Sequence, residues 1–204
     1  MQEKEVINIL KTKLNFNSKS ISKLKLFINE LLVANKKKNF ISKNTEIDIW
    51  HRHVLDSAQL VKFIDFKKGY LSDLGSGAGF PGMVLAIFNE NEDFHVKLYE
   101  KSPVKRAFLE EVIKKFSIKA IVQGNVYEEM LDSDYIVSRA FKKLEIIIQV
   151  SREIAKKPHK LIVLKGQNAH KDVEKAFKNN KYHYKIEKSM TDKKSKILII
   201  EFNK

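Results

Sequence analysis

Two rhythms of apolar residues run along the chain, and one gives way to the other near residue 65. Before it, Ile21, Leu24, Ile28, Leu31 and Leu32 recur every three or four positions, which places them on one face of a helix capped by Ser18 or Ser20. A second amphipathic segment runs from Trp50 to Phe63. Beyond residue 65, short apolar runs alternate with helical patterns: Tyr70 to Leu74, His95 to Tyr99, Lys119 to Val122, Tyr135 to Val137, Leu161 to Leu164 and Lys196 to Phe202. Strands separated by helices predict a doubly wound α/β sheet, because parallel neighbours need a crossover between them. Val104, Ala107, Phe108, Val112 and Phe116 mark one crossover helix with a single buried face, while Met83 to Phe88 is apolar on every side, as a covered helix is. Arg152 falls in a further helix, and the terminal strand around Ile197 to Ile200 is an edge or an inserted strand. The expected organisation is a helical region over 1–64 and an α/β domain over 65–204.

Composition narrows the class. A chain of 204 residues, 43% hydrophobic, can bury a substantial core. No apolar run reaches the roughly 18 residues that cross a bilayer, and Met1 to Phe16 alternates charged with apolar residues instead of carrying a signal-peptide core, so no membrane association is expected. The absence of cysteine excludes disulfides, thiolate metal sites and cysteine nucleophiles, and a cytoplasmic location is the default. The net charge of +14 suits a nucleic-acid partner or equally a solvated basic surface. Of the 39 basic residues 35 are lysine, so the four arginines stand out: Arg52, Arg106 and Arg139 fall in the motif segments below, where a planar bidentate donor is expected to be needed, whereas Arg152 lies in a helix with no motif. The lysine-rich spots at Lys36 to Lys38 and Lys193 to Lys196 read as loops.

The glycines change the picture most. DLGSGAGFPG, Asp73 to Gly82, holds four of the seven glycines in the chain and lies between the first strand of the α/β part and a helix. Open sheets of this kind bind adenosine-containing ligands there, and glycine lets the backbone turn sharply with no Cβ between it and the ligand. A dinucleotide fingerprint would need glycine where Phe80 stands, and a phosphate-binding loop would need lysine where Met83 follows Gly82. What remains is an acidic residue followed by G-x-G-x-G, which resembles the first motif of the S-adenosylmethionine (SAM) dependent methyltransferases. Glu100, 25 residues after Gly75, ends the second strand near the spacing at which a carboxylate reaches ribose hydroxyls; the alternative is an ordinary strand-end glutamate.

Five segments carry a closer resemblance: WHRHVLDS (Trp50 to Ser57), DLGSGAGFPG, EKSPVKRAFL (Glu100 to Leu109), SRAF (Ser138 to Phe141) and LKG (Leu164 to Gly166). In order and spacing they are similar to those of the bacterial 16S ribosomal RNA methyltransferase G family, also called the glucose-inhibited division protein B family, over nearly the whole chain from Asn39. The resemblance implies a Rossmann-like class I methyltransferase fold, a seven-stranded mostly parallel sheet with a helical N-terminal extension. It also implies transfer of the SAM methyl group to N7 of a guanosine in 16S ribosomal RNA, either naked or in the small subunit; a monomer without metal is expected. N7 carries a lone pair and no proton, so in-line attack needs no general base and positioning dominates.

Under that resemblance Asp73, Gly75, Ser76, Gly77, Gly79, Phe80, Glu100, Asn125, Val126 and Arg139 hold SAM. Arg139 and Lys165, at the ends of the fourth and fifth strands, position the reacting groups, and Arg52, His53, Arg106 and Lys165 face the RNA. Residue by residue, alternatives stay open. His53 is a substrate contact or a core residue fixed, with Arg52, by Asp56; Arg106 meets RNA phosphate or snorkels along its helix. His51 and His53, two apart, make a poor metal pair. Two departures stand out: Asn125 follows Gly124 where the family usually has arginine, and Lys193 to Lys196 replaces an arginine before the last strand. Two other functions fit the same motifs: a methyltransferase of a non-RNA acceptor, and a basic RNA-binding module without turnover.

Overall fold

The computed structural model describes residues 1–178 and 182–203. Three helices open the chain. Helix α1 (Glu3–Leu14) buries Val6, Leu10 and Leu14, and α2 (Ser18–Asn35) buries Ile21, Leu24, Phe27, Ile28 and Leu31 along one stripe. No helical rhythm announces α1 in the sequence, and Ser18 and Ser20 do not cap α2, because charges mask the apolar row of α1, spaced by four, and an earlier residue serves as the cap of α2. Asn17, not Ser18 or Ser20, accepts from the Ser20 N–H at 2.8 Å, and the Ser20 hydroxyl instead donates to the Ile87 carbonyl at 2.9 Å, tying α2 to a later helix. The short α3 (Lys43–Glu46) follows.

Trp50 to Phe63, read as one amphipathic segment, is three kinds of helix in series: a π-helix over Trp50–Leu55, a turn of α-helix, α4 (Asp56–Ala58), and a 3₁₀ turn over Gln59–Phe63. Widened π turns are uncommon and recur at functional sites.

The strands are β1 (Gly69–Leu74), β2 (Phe94–Tyr99), β3 (Ala120–Gln123), β4 (Tyr135–Arg139), β5 (His159–Lys165), β6 (His183–Lys188) and β7 (Lys196–Phe202). Between them lie α5 (Gly82–Phe88), α6 (Pro103–Phe116), α7 (Leu144–Ile154) and α8 (Ala169–Phe177). They form a seven-stranded sheet in the order β3-β2-β1-β4-β5-β7-β6, parallel except for β7, which runs antiparallel to both β5 and β6. The terminal strand is therefore inserted, and Lys196 belongs to it instead of to a loop. Strand β6, HYKIEK, has no buried position, so no apolar run announced it. Its lysines blunt an exposed sheet edge.

One apolar cluster joins α1, α2 and the π-helix to α5, α6 and one face of the sheet, and a second packs α7 and α8 on the other face. Burying a leucine-sized side chain contributes about 1.5–3 kcal/mol. The N-terminal helices are thus part of the main core. The connections from β1 and β4 leave toward opposite faces, which opens a crevice at the carboxyl ends of these two adjacent strands.

Candidate functional site

The crevice floor is the glycine loop. Gly75, Gly77 and Gly79 all take positive φ, at 75°, 59° and 103°. A Cβ at Gly77 would meet nothing closer than the Gly75 carbonyl at 3.8 Å, so it would project into open space above the loop. At Gly82 a Cβ would fall 2.3 Å from Leu98 Cδ2 and 2.6 Å from Asp73 Oδ2. The two glycines answer different needs, one the emptiness of the crevice and the other the tightness of the packing beneath it.

Two carboxylates brace the loop. Asp73, fully buried, accepts from the Gly82 N–H at 2.9 Å through Oδ2, and its Oδ1 has no partner among the described residues. Burial pushes this carboxyl up to about 7, against the pull of its hydrogen bonds and of Arg139. Glu100 accepts from the Gly77 N–H through one oxygen and from the Ser102 N–H through the other, each at 2.8 Å. The Arg106 guanidinium donates to the Glu100 and Lys101 carbonyls at 3.0 and 2.9 Å, so it fixes the turn after β2.

Above the loop lies a cavity of about 440 Å³, lined by Gly75, Ser76, Gly77, Phe80, Glu100, Asn125, Val126, Tyr127 and Phe141 among others. Asp73 and Arg106 lie outside its lining; Gly79 sits beneath it, packed toward Met83, Leu109 and Phe27. The cavity fits an adenosine-containing ligand on three counts. A methyl group at Gly77 would enter its space, the Glu100 carboxylate retains lone pairs for hydroxyl donors, and Asn125 to Tyr127 supply an edge of backbone at the end of β3. Asn125 itself caps the 3₁₀ turn that follows, accepting from Tyr127 N–H at 3.4 Å.

A second chamber of about 380 Å³ opens beside the first, at the ends of β4 and β5. Thr45, His53, Arg139, Ala140 and Lys142 line both, so the two chambers share one wall. Arg139 organises that wall. Its Nη1 donates to the Arg52 carbonyl at 3.0 Å and its Nη2 to His53 Nδ1 at 2.5 Å; Asp56 Oδ2 lies 3.6 Å away, and the guanidinium sits over the Phe80 ring at 5.3 Å. The π-helix presents Arg52 O and His53 to one guanidinium, a fit that needed both the widened turn and the arginine fork. Burial, then the charges of Arg139 and Arg52, push the His53 imidazole down to about 3, so it is neutral. With Nδ1 accepting, its proton resides on Nε2, which is buried and has no partner among the described residues. Asp56 is raised by burial and partly drawn back by Arg139 and by the Thr191 hydroxyl, which donates to it at 2.9 Å.

Lys165 also lines the second chamber, ion-paired to Asp172 of α8 at 2.5 Å. The Arg52 guanidinium is exposed on the same chamber with no hydrogen bond or ion pair among the described residues. The structure thus brings Arg52, His53, Arg139 and Lys165 together and sets Arg106 apart from them. Sequence reasoning passed over Thr45, Lys142 and Tyr127. Lys142 directly follows the quoted SRAF segment, but no apolar rhythm or motif marks Thr45 or Tyr127. Among the described residues no group of three or more histidines, aspartates or glutamates is gathered as a metal site would require.

The family model for rRNA small subunit methyltransferase G matches residues 20–200. A "Ribosomal RNA small subunit methyltransferase G" from Pelagibacter ubique is 36% identical over 193 residues, covering 92% of this chain and 91% of that protein. A protein of the same description from Rickettsia typhi is 37% identical over 183 residues, 89% of this chain and 93% of its own. Among solved structures, M. jannaschii TYW2 in complex with AdoMet superposes with a TM-score of 0.54 at 15% identity over 81% of this chain and 77% of that one, a likeness of fold.

Proposed function

Because the chain belongs to the rRNA small subunit methyltransferase G family, we propose that N7 of a guanosine is the atom it methylates, in the chamber walled by Arg139 and His53. The protein is a SAM-dependent methyltransferase of 16S ribosomal RNA with a class I fold. The shared wall supports transfer between the two chambers, since it is where a methyl donor in the first and an acceptor base in the second would meet, and family membership supports N7 as the acceptor atom.

Bound SAM supplies an electrophilic methyl group on a sulfonium. Gly75, Ser76, Gly77 and Phe80 give the donor its floor, Glu100 its hydroxyl acceptor, and Asn125 and Val126 its adenine edge. Asp73, Gly79 and Arg106 act on this site from below and behind, by holding the loop that the donor rests on. Arg139 fixes the relation of the π-helix to β4, and Lys165 fixes the end of β5. Attack by a lone pair needs orientation and no base. N7 methylation also leaves a positive charge on the purine, which an uncompensated cation nearby would oppose. Asp56 compensates Arg139 and Asp172 compensates Lys165, so neither of these two cations adds a bare charge to the chamber. Arg52 and His53 lie at its mouth and side, where RNA enters.

The division into a helical region over 1–64 and a methyltransferase unit over 65–204 accompanies this proposal, as do a monomeric state and a cytoplasmic location. Among the described residues no helix is long and apolar enough to cross a membrane.

Transfer of labelled methyl from SAM to small-subunit RNA lacking its native N7 modification, offered naked and as assembled subunits and followed by nucleoside digestion, tests the reaction. Label in 7-methylguanosine is expected. Label in another nucleoside would overturn the N7 assignment.

A further inference from the structure

We propose that Lys142 grips a phosphate of the acceptor RNA beside the methylated nucleotide, an inference that rests on RNA being the acceptor. Lys142 lines both chambers at their seam, is exposed, and has no hydrogen bond or ion pair among the described residues. Its ammonium differs in this from Arg139 and Lys165, two of the three other cations that line the second chamber, each of which is held by a carboxylate. Among the described residues that line the second chamber, only Arg52, on the π-helix, is comparably unpaired.

The backbone delivers Lys142 to this place. Ala140 takes the left-handed conformation at φ 53°, an uncommon one for a residue with a Cβ, and reverses the chain after β4. Phe141 then packs onto the glycine loop so closely that a Cβ on Gly75 would lie 2.4 Å from its ring. With Phe141 seated, the next side chain emerges at the seam. A cation there attracts an anion, and any nucleotide entering the second chamber brings phosphates with it. An exposed lysine suits a point contact with a phosphate oxygen. Among the described residues, Lys142 on the β4–α7 connection and Arg52 on the π-helix are the free cations of the second chamber, and each suits a phosphate of the entering RNA.

The test measures RNA affinity by fluorescence anisotropy against salt, beside methyl transfer and SAM affinity, for Lys142→Ala, Lys142→Arg and the neighbouring Lys143→Ala. A lost phosphate contact lowers the slope of log affinity against log salt by about 0.7 to 1. Lys142→Ala is expected to show that loss and to weaken RNA binding roughly 5- to 10-fold at low salt, with SAM affinity and kcat at saturating RNA unchanged. Lys142→Arg should restore the slope, Lys143→Ala should keep it, and Lys142→Ala with Arg52→Ala should lose about twice as much. An unchanged slope in Lys142→Ala overturns the proposal. Weakened SAM binding with normal RNA binding also overturns it, by assigning the ammonium to the cofactor's carboxylate. The wild-type product identity tests the N7 reading separately, because the slope does not depend on which base atom is methylated.

Discussion

Replacing Gly77 by alanine should separate the binding of SAM from the stability of the fold, and Gly82→Ala should do the reverse. At Gly77 the substitution has room, the nearest atom standing 3.8 Å from the new Cβ, but φ is 59°. Holding alanine in that left-handed region costs about 1–2 kcal/mol, offset by about 0.5 kcal/mol from the stiffer unfolded chain. The net of about 1 kcal/mol corresponds to a fall of roughly 2–4 °C in Tm for a protein of this size. The methyl group, however, enters the volume the donor would occupy, and a tenfold or greater loss of SAM affinity, about 1.4 kcal/mol, is expected. At Gly82 the backbone is ordinary but the space is filled: Leu98 Cδ2 at 2.3 Å and Asp73 Oδ2 at 2.6 Å. Displacing Asp73 breaks its bond to the Gly82 N–H inside a sealed environment, so overpacking and a lost buried hydrogen bond together cost on the order of 3 kcal/mol or more. Urea denaturation gives the first quantity and isothermal titration with SAM the second. A Gly77→Ala protein that binds SAM like the wild type would refute the cradle. A Gly82→Ala protein as stable as Gly77→Ala would refute the steric account.

Two further outcomes follow from the buried charges. Asp73 is raised from 3.8 to about 7, so the native state holds its proton more tightly; its contribution is full below about pH 4 and is lost as pH rises through 7, by about 4 kcal/mol in all. His53, lowered from 6.5 to about 3, does the opposite, its contribution being present above pH 6.5 and lost as pH falls toward 3. The two slopes oppose each other between about pH 4 and 6.5, so the wild-type minus Asp73→Asn stability difference should fall with pH across that window, and a rising difference would show the Asp73 assignment to be wrong. Glu100→Ala removes the acceptor of both the Gly77 and Ser102 N–H groups. It should weaken SAM binding at least tenfold in the same titration while leaving RNA affinity intact, and normal SAM binding would sink that site.

What the sequence revealed and what it hid divide by distance along the chain. The glycine loop is local, and a handful of consecutive residues sufficed to place it after a strand and before a helix. Glu100 was legible as a strand-end acid, but its brace on Gly77, 23 residues earlier, was not. Arg139 was singled out as a rare arginine at the end of β4. Its partners Arg52 and His53 lie 87 and 86 residues earlier in a π-helix that periodicity reads as an ordinary amphipathic segment. Helix α1 and strand β6 were hidden for opposite reasons: one has a core row masked by charge, and the other has no core row because it closes an exposed edge. Lys142 was one lysine among 35, and only the turn at Ala140 makes it different.

The inserted strand imposes an order of assembly. Strand β6 pairs with β7 alone, and β7 lies between it and β5. A chain emerging from its N-terminus therefore presents β6 before anything exists for it to bond to, and the five-stranded parallel part can form while β6 waits. The bend over 193–195, which carries Ser195 into the wall of the second chamber, is laid down only when β7 docks. During synthesis, then, the cavity over the glycine loop can form before the acceptor chamber does, and a nascent chain halted before Lys196 should be able to hold the methyl donor while having no finished place to spend it.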